Sequence, residues 1–83
     1  MYKVLITAKA KKELKQIAKK HQEALLLAFE DLKEDPHIGK PLTRELTRRY
    51  SYRVGVFRII YTINRKDKKI DILSAGHRGI VYK

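Results

Sequence analysis

Apolar and polar positions alternate in two short stretches of the second half of the chain, YSYRV and FRIIY, which flank Gly55 and Val56. Alternation with a period of two predicts β-strands, and the aromatic and β-branched residues in both stretches favour the same structure. A two-residue loop that begins with Gly predicts a type II′ turn, because Gly tolerates the positive φ of the first loop position. The expected cross-strand pairs are Val54–Phe57, Arg53–Arg58, Tyr52–Ile59 and Ser51–Ile60.

One face of this hairpin is predicted to be apolar, and the other carries two arginines. Successive side chains of a strand point to opposite faces, so the apolar face holds Tyr52, Val54, Phe57, Ile59 and Tyr61. Arg53 and Arg58 then lie opposite each other, with no acidic residue in the hairpin stretch. Like charges directly across a strand pair are destabilising, so the pair predicts a phosphate clamp. The alternative is two surface arginines whose stems cover apolar surface.

The rest of the chain predicts an α+β domain. A strand is expected over residues 2–7, with Thr7 as the N-cap of a helix over residues 8–20. The apolar stripe restarts at Leu25, which predicts a second helix, or a bent one, with a break near Lys20-His21 and an end near Glu34. The remaining predictions are a Gly- and Pro-containing loop from 35 to 41, the hairpin over 50–64, a polar turn over 65–69, a strand over 70–75, and a bend over 76–79 followed by the closing segment 80–83.

The order β-α-α-β-β-β therefore predicts one domain over residues 1–83, with two N-terminal helices packed on a mostly antiparallel four-stranded sheet. The chain has no cysteine, which excludes disulfides, thiolate metal sites and thiol catalysis. No apolar run approaches the roughly 20 residues of a membrane span, so we expect a cytoplasmic protein without a membrane partner.

The net charge of +11 is unevenly distributed along the chain. Residues 1–38 contain eight lysines and six acidic residues, for a charge of +2, whereas residues 39–83 contain twelve basic and three acidic residues, for +9. All seven arginines lie in the second part, at positions 44, 48, 49, 53, 58, 65 and 78. Arginine binds phosphate in a planar, bidentate manner, so this part predicts a surface for a polyanion. A solvated charge run, or adaptation to high temperature, is the alternative.

Two further residues are candidates for proton transfer. His77 lies between two glycines and beside Arg78, and an imidazole with an ordinary pKa near 6.5 exchanges protons at cellular pH. Tyr82 has apolar neighbours that also fit a packing role. The acidic residues after Asp35 are few and scattered, so neither a metal site nor any other cofactor is expected.

Three motifs together resemble one known family. They are PxxGKPL, YxYRVGxFRIIYxI and IxILxxGHRxxVY, and with Leu46 they cover essentially the whole chain. The pattern resembles the RelE/ParE toxin superfamily of type II toxin–antitoxin systems. The family fold is the same β-α-α-β-β-β arrangement. The RelE branch of this family implies a ribosome-dependent mRNA endonuclease, which uses the ribose 2′-OH to attack the adjacent phosphate without a metal.

The resemblance also implies roles for individual residues. Arg58 matches the arginine that binds the scissile phosphate, and Arg78 matches the one that stabilises the phosphorane. Tyr82 matches the tyrosine that stacks on or deprotonates the nucleotide, and His77 is the other candidate for proton transfer. Ser51 occupies a place where strongly active members often carry a Lys or Arg. The residues expected to bind RNA phosphates are Arg53, Arg48, Arg49, Lys9 and Lys12.

Two other functions remain open from the sequence. The chain could be a ParE-like inhibitor of DNA gyrase, which needs no arginine cluster, or a non-catalytic module that binds RNA or the ribosome. The expected partners are the ribosome, mRNA and an acidic antitoxin encoded nearby. The toxin alone is expected to be a monomer or a weak dimer.

Overall fold

The computed structural model describes residues 1–42 and 48–77, with His77 described by its backbone only. In this part of the chain the elements are β1 (Lys3–Ile6), α1 (Ala8–Lys15), α2 (Lys19–Glu34), a 3-10 helix (Pro36–Ile38), β2 (Lys40–Pro41), β3 (Arg49–Val54), β4 (Phe57–Asn64) and β5 (Lys69–His77). The expected α+β class is confirmed, with the helices first and the hairpin after them.

The described strands form one five-stranded sheet in the order β1-β5-β4-β3-β2. β1 pairs with β5 in parallel, and the other neighbours are antiparallel. The prediction of four strands was wrong by one, because β2 adds a two-residue strand where a loop was expected. Pairing to β3 stabilises this short segment, with Lys40 opposite Ser51 and Pro41 opposite Tyr50.

The hairpin has the register expected from its sequence. Val54 pairs with Phe57, Arg53 with Arg58, Tyr52 with Ile59 and Ser51 with Ile60. Gly55 has a φ of +61°, and Val56 is not among the described residues with positive φ. This combination fits a type II′ turn rather than type I′, which requires a positive φ at both loop positions.

The start of α1 at Ala8 and the end of α2 at Glu34 are as predicted, but the break between the two helices lies elsewhere. Thr7 caps α1 as expected, because its hydroxyl accepts a hydrogen bond from the Ala10 amide. The break, however, lies between α1 and α2 around residues 16–18, before the expected Lys20-His21. The Gln22 side-chain amide stabilises this break by donating to the carbonyls of Leu14 (2.7 Å) and Ile17 (2.9 Å). The Leu14 carbonyl also accepts from the Ile17 amide at 3.1 Å.

The hydrophobic core lies between the helices and one face of the sheet. Its buried members are Ala10 of α1, Leu25, Ala28, Phe29 and Leu32 of α2, and Ile59, Tyr61, Ile70 and Ile72 of β4 and β5. The hairpin residues Tyr52, Val54 and Phe57 pack against this cluster, so the apolar face predicted for the hairpin is confirmed. The arginines that alternate with them therefore point to the opposite face of the sheet.

Tyr61 connects the core to the segment before β2. Its fully buried hydroxyl donates to the Pro36 carbonyl at 2.6 Å, and burial raises the pKa of this hydroxyl to about 12. A Cβ atom at Gly39 would overlap the Tyr61 hydroxyl, which requires Gly at this close approach. The contact holds residues 36–39 against β4 and thereby fixes where β2 begins.

Candidate functional site

The face of β3 and β4 opposite the core, here called the polar face, carries alternating residues of both strands. They are Arg49, Ser51 and Arg53 of β3 and Arg58, Ile60 and Thr62 of β4. Arg53 is exposed and Arg58 is half-buried, and the two are direct cross-strand partners. Residues directly opposite in an antiparallel pair have Cβ atoms about 4.5–5.5 Å apart, so two positive charges are held close together.

A cavity of about 300 Å³ lies at this end of the polar face. Its lining, here called the basic cavity, consists of Ile38, Lys40, Ser51, Tyr52, Arg53 and Arg58. Three of these six described residues are cations, and none of the six is acidic. Such a cavity attracts anions, and arginine forks match the oxygens of a phosphate group.

Lys40 is a member of the basic cavity that the sequence did not single out. It lies in β2 directly opposite Ser51, and both residues line the cavity. The Gly-Lys-Pro run predicted a loop, and nothing in a loop assignment indicates which strand the lysine adjoins. The signal that could have identified it is Pro41, because the residue before a proline favours extended backbone, which is compatible with a strand.

The end of β5 lies beside Arg58. Gly76 is the backbone partner of Arg58, and His77 is the partner of Phe57. The prediction of a bend beginning at Gly76 was wrong for its first two residues, because both belong to β5. The backbone pairing places the end of β5 directly beside Arg58.

Glu13 of α1 is the second residue that the sequence did not single out. Its Oε1 accepts hydrogen bonds from the Ser74 hydroxyl (2.8 Å) and from the Ala75 amide (3.1 Å). β1 pairs with β5 only as far as Ile72, where the Thr7 amide and hydroxyl both donate to the Ile72 carbonyl. Glu13 therefore continues the edge pairing of β5 beyond the end of β1, which extends β5 towards His77.

Known proteins similar in sequence and in structure identify the family. The family model described as the ParE toxin of type II toxin–antitoxin systems matches residues 4–82. Toxin RelG of Mycobacterium tuberculosis is 34% identical over 84 residues, covering 99% of this chain and 97% of its own. The chain belongs to the RelE/ParE superfamily of type II toxins.

Two solved structures support the same assignment. The toxin–antitoxin complex RelBE2 of M. tuberculosis contains a chain with a TM-score of 0.87 and 35% identity, covering 93% of this toxin and 98% of that chain. The archaeal RelE–RelB complex of Pyrococcus horikoshii gives a TM-score of 0.77 at 32% identity, covering 96% and 98%. The fold of the toxin is thus the RelE fold.

The remaining predicted site residues that the structure describes do not line the basic cavity. Arg49 is exposed on β3 four residues before Arg53, about 13 Å along the strand. Arg48 is exposed with a φ of +73° and lines a separate cavity of about 530 Å³ that also includes Asp71. Lys9 and Lys12 are exposed on α1. Arg78, Tyr82 and the side chain of His77 lie outside the described part of the toxin.

An apolar groove of about 580 Å³ lies between β1 and α2, away from the basic cavity. Val4, Ile6 and Phe29 line it together with Leu26 and Leu27, which are 51% and 68% exposed. Large aliphatic side chains exposed side by side are typical of a surface that binds another protein. No helix in the described part of the toxin is long and apolar enough to cross a membrane.

Proposed function

We propose that the toxin is a ribosome-dependent endoribonuclease that inhibits translation by cutting mRNA. The observation that carries this proposal is the basic cavity, in which Arg53 and Arg58 face each other across β3 and β4. Two guanidinium groups on one face of the hairpin supply the charge and the paired N–H donors that a phosphodiester would bind. The similarity to proteins named RelG and RelE supports the RelE branch of the superfamily.

The proposed reaction is an internal phosphoryl transfer. The ribose 2′-oxygen attacks the adjacent phosphorus, the bond from phosphorus to the 5′-oxygen breaks, and a 2′,3′-cyclic phosphate and a 5′-hydroxyl result. Arg58 would hold the scissile phosphate and Arg78 would stabilise the phosphorane. The proton of the 2′-hydroxyl must leave and the 5′-oxygen must gain one, for which His77 and Tyr82 are the proposed groups.

Positioning and charge neutralisation can supply most of the rate for such a reaction. A guanidinium that binds the phosphorane more strongly than the ground-state diester lowers the barrier without a metal ion. Loss of one preorganised donor of this kind costs on the order of 10²-fold to 10³-fold in rate. We therefore expect Arg58→Ala and Arg78→Ala each to slow cleavage by at least about 10²-fold.

A ParE-like inhibitor of DNA gyrase is the second candidate, because the family model that matches the chain is described as the ParE toxin. Such an inhibitor would act through protein contacts, and the arginines of the basic cavity would then be dispensable. A non-catalytic module that binds RNA or the ribosome would need the arginines for affinity but would leave mRNA intact.

The deciding experiment is incubation of the toxin with ribosomes that carry a defined mRNA, followed by mapping of RNA ends. We expect new ends with a 2′,3′-cyclic phosphate that depend on the ribosome and disappear in Arg58→Ala. Intact mRNA together with inhibited supercoiling by purified gyrase would favour the ParE function. Intact mRNA with saturable ribosome binding would favour the non-catalytic module.

We also propose that a cytoplasmic acidic antitoxin covers the toxin. The related RelBE2 and archaeal RelE chains were solved as complexes with their antitoxins. The apolar groove between β1 and α2 offers exposed aliphatic surface for such a partner, and the charge of +9 over residues 39–83 favours an acidic one. A small acidic protein encoded beside the toxin should co-purify with it and restore growth.

A further inference from the structure

We infer that Lys40 of β2 is the third phosphate-binding cation of the basic cavity. This inference rests on the proposed function for its role in RNA cleavage, but the phosphate site itself can be tested separately. Its place in the fold carries the argument: Lys40 is the cross-strand partner of Ser51, and both line the cavity with Arg53 and Arg58.

The pairing of β2 with β3 brings the Lys40 side chain next to Ser51. Directly opposite residues of an antiparallel pair share a face, so the lysine stem starts beside the serine and on the same side of the sheet. Ser51 is short and 9% exposed, and it lines the cavity beside the longer Lys40 side chain. A lysine on the adjoining strand can therefore place its ammonium where a basic residue at 51 would place its own.

The backbone of Lys40 is held in place from both sides. On one side, the Tyr61 hydroxyl binds the Pro36 carbonyl and contacts Gly39. On the other, the Leu42 amide donates to the Arg49 carbonyl at 2.8 Å. Pro41 disfavours the helical region for the residue before it, which keeps Lys40 extended.

The charge balance indicates what the cavity binds. Lys40, Arg53 and Arg58 place three positive charges around about 300 Å³, and none of the described lining residues is acidic. An anion with several oxygens and at least one full negative charge could contact all three cations at once. A phosphate group fits this description, with arginine forks for paired oxygens and a lysine point charge for a third.

The first test is phosphate binding, which does not depend on the ribosome. Inorganic phosphate is titrated into the free toxin while backbone amide NMR signals of residues 51–58 are followed. We expect Lys40→Gln to weaken binding on the order of five-fold and Lys40→Arg to stay close to the wild type, because one exposed charge pair contributes up to about 1 kcal/mol. Lys69→Gln is the matched control, since this exposed lysine begins β5, seven residues from the partner of Arg58.

Equal phosphate binding by the wild type and Lys40→Gln would overturn the inference. Equal weakening by Lys40→Gln and Lys69→Gln would also overturn it, because it would indicate a general effect of net charge. Absence of saturable binding in the wild type would also overturn it.

The second test is single-turnover cleavage on programmed ribosomes, where we expect Lys40→Gln to be slower by about ten-fold and Lys40→Arg to restore most of the rate. The double substitution K40S/S51K, which moves the positive charge from β2 to β3, should recover part of the cleavage rate. Phosphate binding that depends on Lys40 in a toxin that cleaves nothing would support the site and refute the nuclease. Cleavage unchanged in Lys40→Gln would refute the role of Lys40 in the reaction.

Discussion

Replacement of Glu13 by Ala should destabilise the toxin and loosen the end of β5. The substitution removes the acceptor for the Ser74 hydroxyl and the Ala75 amide, and these two residues are 3% and 0% exposed. Water cannot easily replace the lost carboxylate at such buried donors. The Ser74 hydroxyl can rotate towards another acceptor, whereas the Ala75 amide is fixed by the strand.

The expected loss follows from the two hydrogen bonds. A hydrogen bond to a charged group contributes about 1.5–3 kcal/mol, and an unsatisfied buried donor costs about 1–3 kcal/mol. Because the hydroxyl can find another partner, we expect a total loss of about 2–3 kcal/mol rather than the full sum. A domain of this size gains roughly 4–12 kcal/mol on folding, so the loss is a large fraction of its stability. The melting temperature should fall by roughly 10–20 °C.

Thermal melts of four proteins provide the assay. Glu13→Gln keeps an oxygen acceptor in the same place and should lose only about 1 kcal/mol. Glu23→Ala removes an exposed glutamate of α2 and should stay within about 0.5 kcal/mol of the wild type. Hydrogen exchange should accelerate at the amides of Ala75 and Gly76 in Glu13→Ala and much less at the start of β5. A Glu13→Ala melt within about 2 °C of the wild type would refute the reasoning.

Three other outcomes are expected. Arg58→Ala should cleave mRNA at least about 10²-fold more slowly in single-turnover assays, because a guanidinium proposed to bind the scissile phosphate is lost. Tyr61 should stabilise the wild type below pH 10 and lose this contribution between pH 10 and about 12, because the folded state holds the hydroxyl proton more tightly than the unfolded state. Tyr61→Phe should lack this alkaline step in pH-dependent melts and should be less stable by about 1–2 kcal/mol at neutral pH. Leu27→Asp should weaken the complex with an antitoxin in calorimetry while ribosome cleavage by the free toxin stays unchanged.

The hairpin shows how much local sequence can predict. Alternation over two strands and one glycine at the reversal are sufficient to give the register of β3 and β4, since both signals act within a few residues. The same register implies that Arg53 and Arg58 share one face. This half of the candidate site was accessible from the sequence because it needs no contact from another part of the chain.

The elements that the sequence did not predict depend on bonds between distant residues. β2 exists because of pairing to β3 and the contact of Tyr61 with the Pro36 carbonyl, 25 positions apart. The full length of β5 depends on Glu13, which lies 62 positions before Ala75. Polar side chains that bind distant backbone leave no periodic pattern, and so Lys40 and Glu13 were not singled out.

The central strand β4 explains why the basic cavity can tolerate its charge. Ile59 and Tyr61 are fully buried in the core, while Arg58 points to the opposite face between them and the turn. Two buried side chains of this size stabilise folding by roughly 3–6 kcal/mol, more than an arginine pair near the surface can oppose. The burial of Ile59 and Tyr61 therefore holds the backbone of Arg58 in position before any anion binds. Side chains alternate between the two faces, so a one-residue change in register would bury Arg58 and expose the core residues. The turn at Gly55 sets this register. It therefore determines both the folding of the hairpin and the position of the phosphate site.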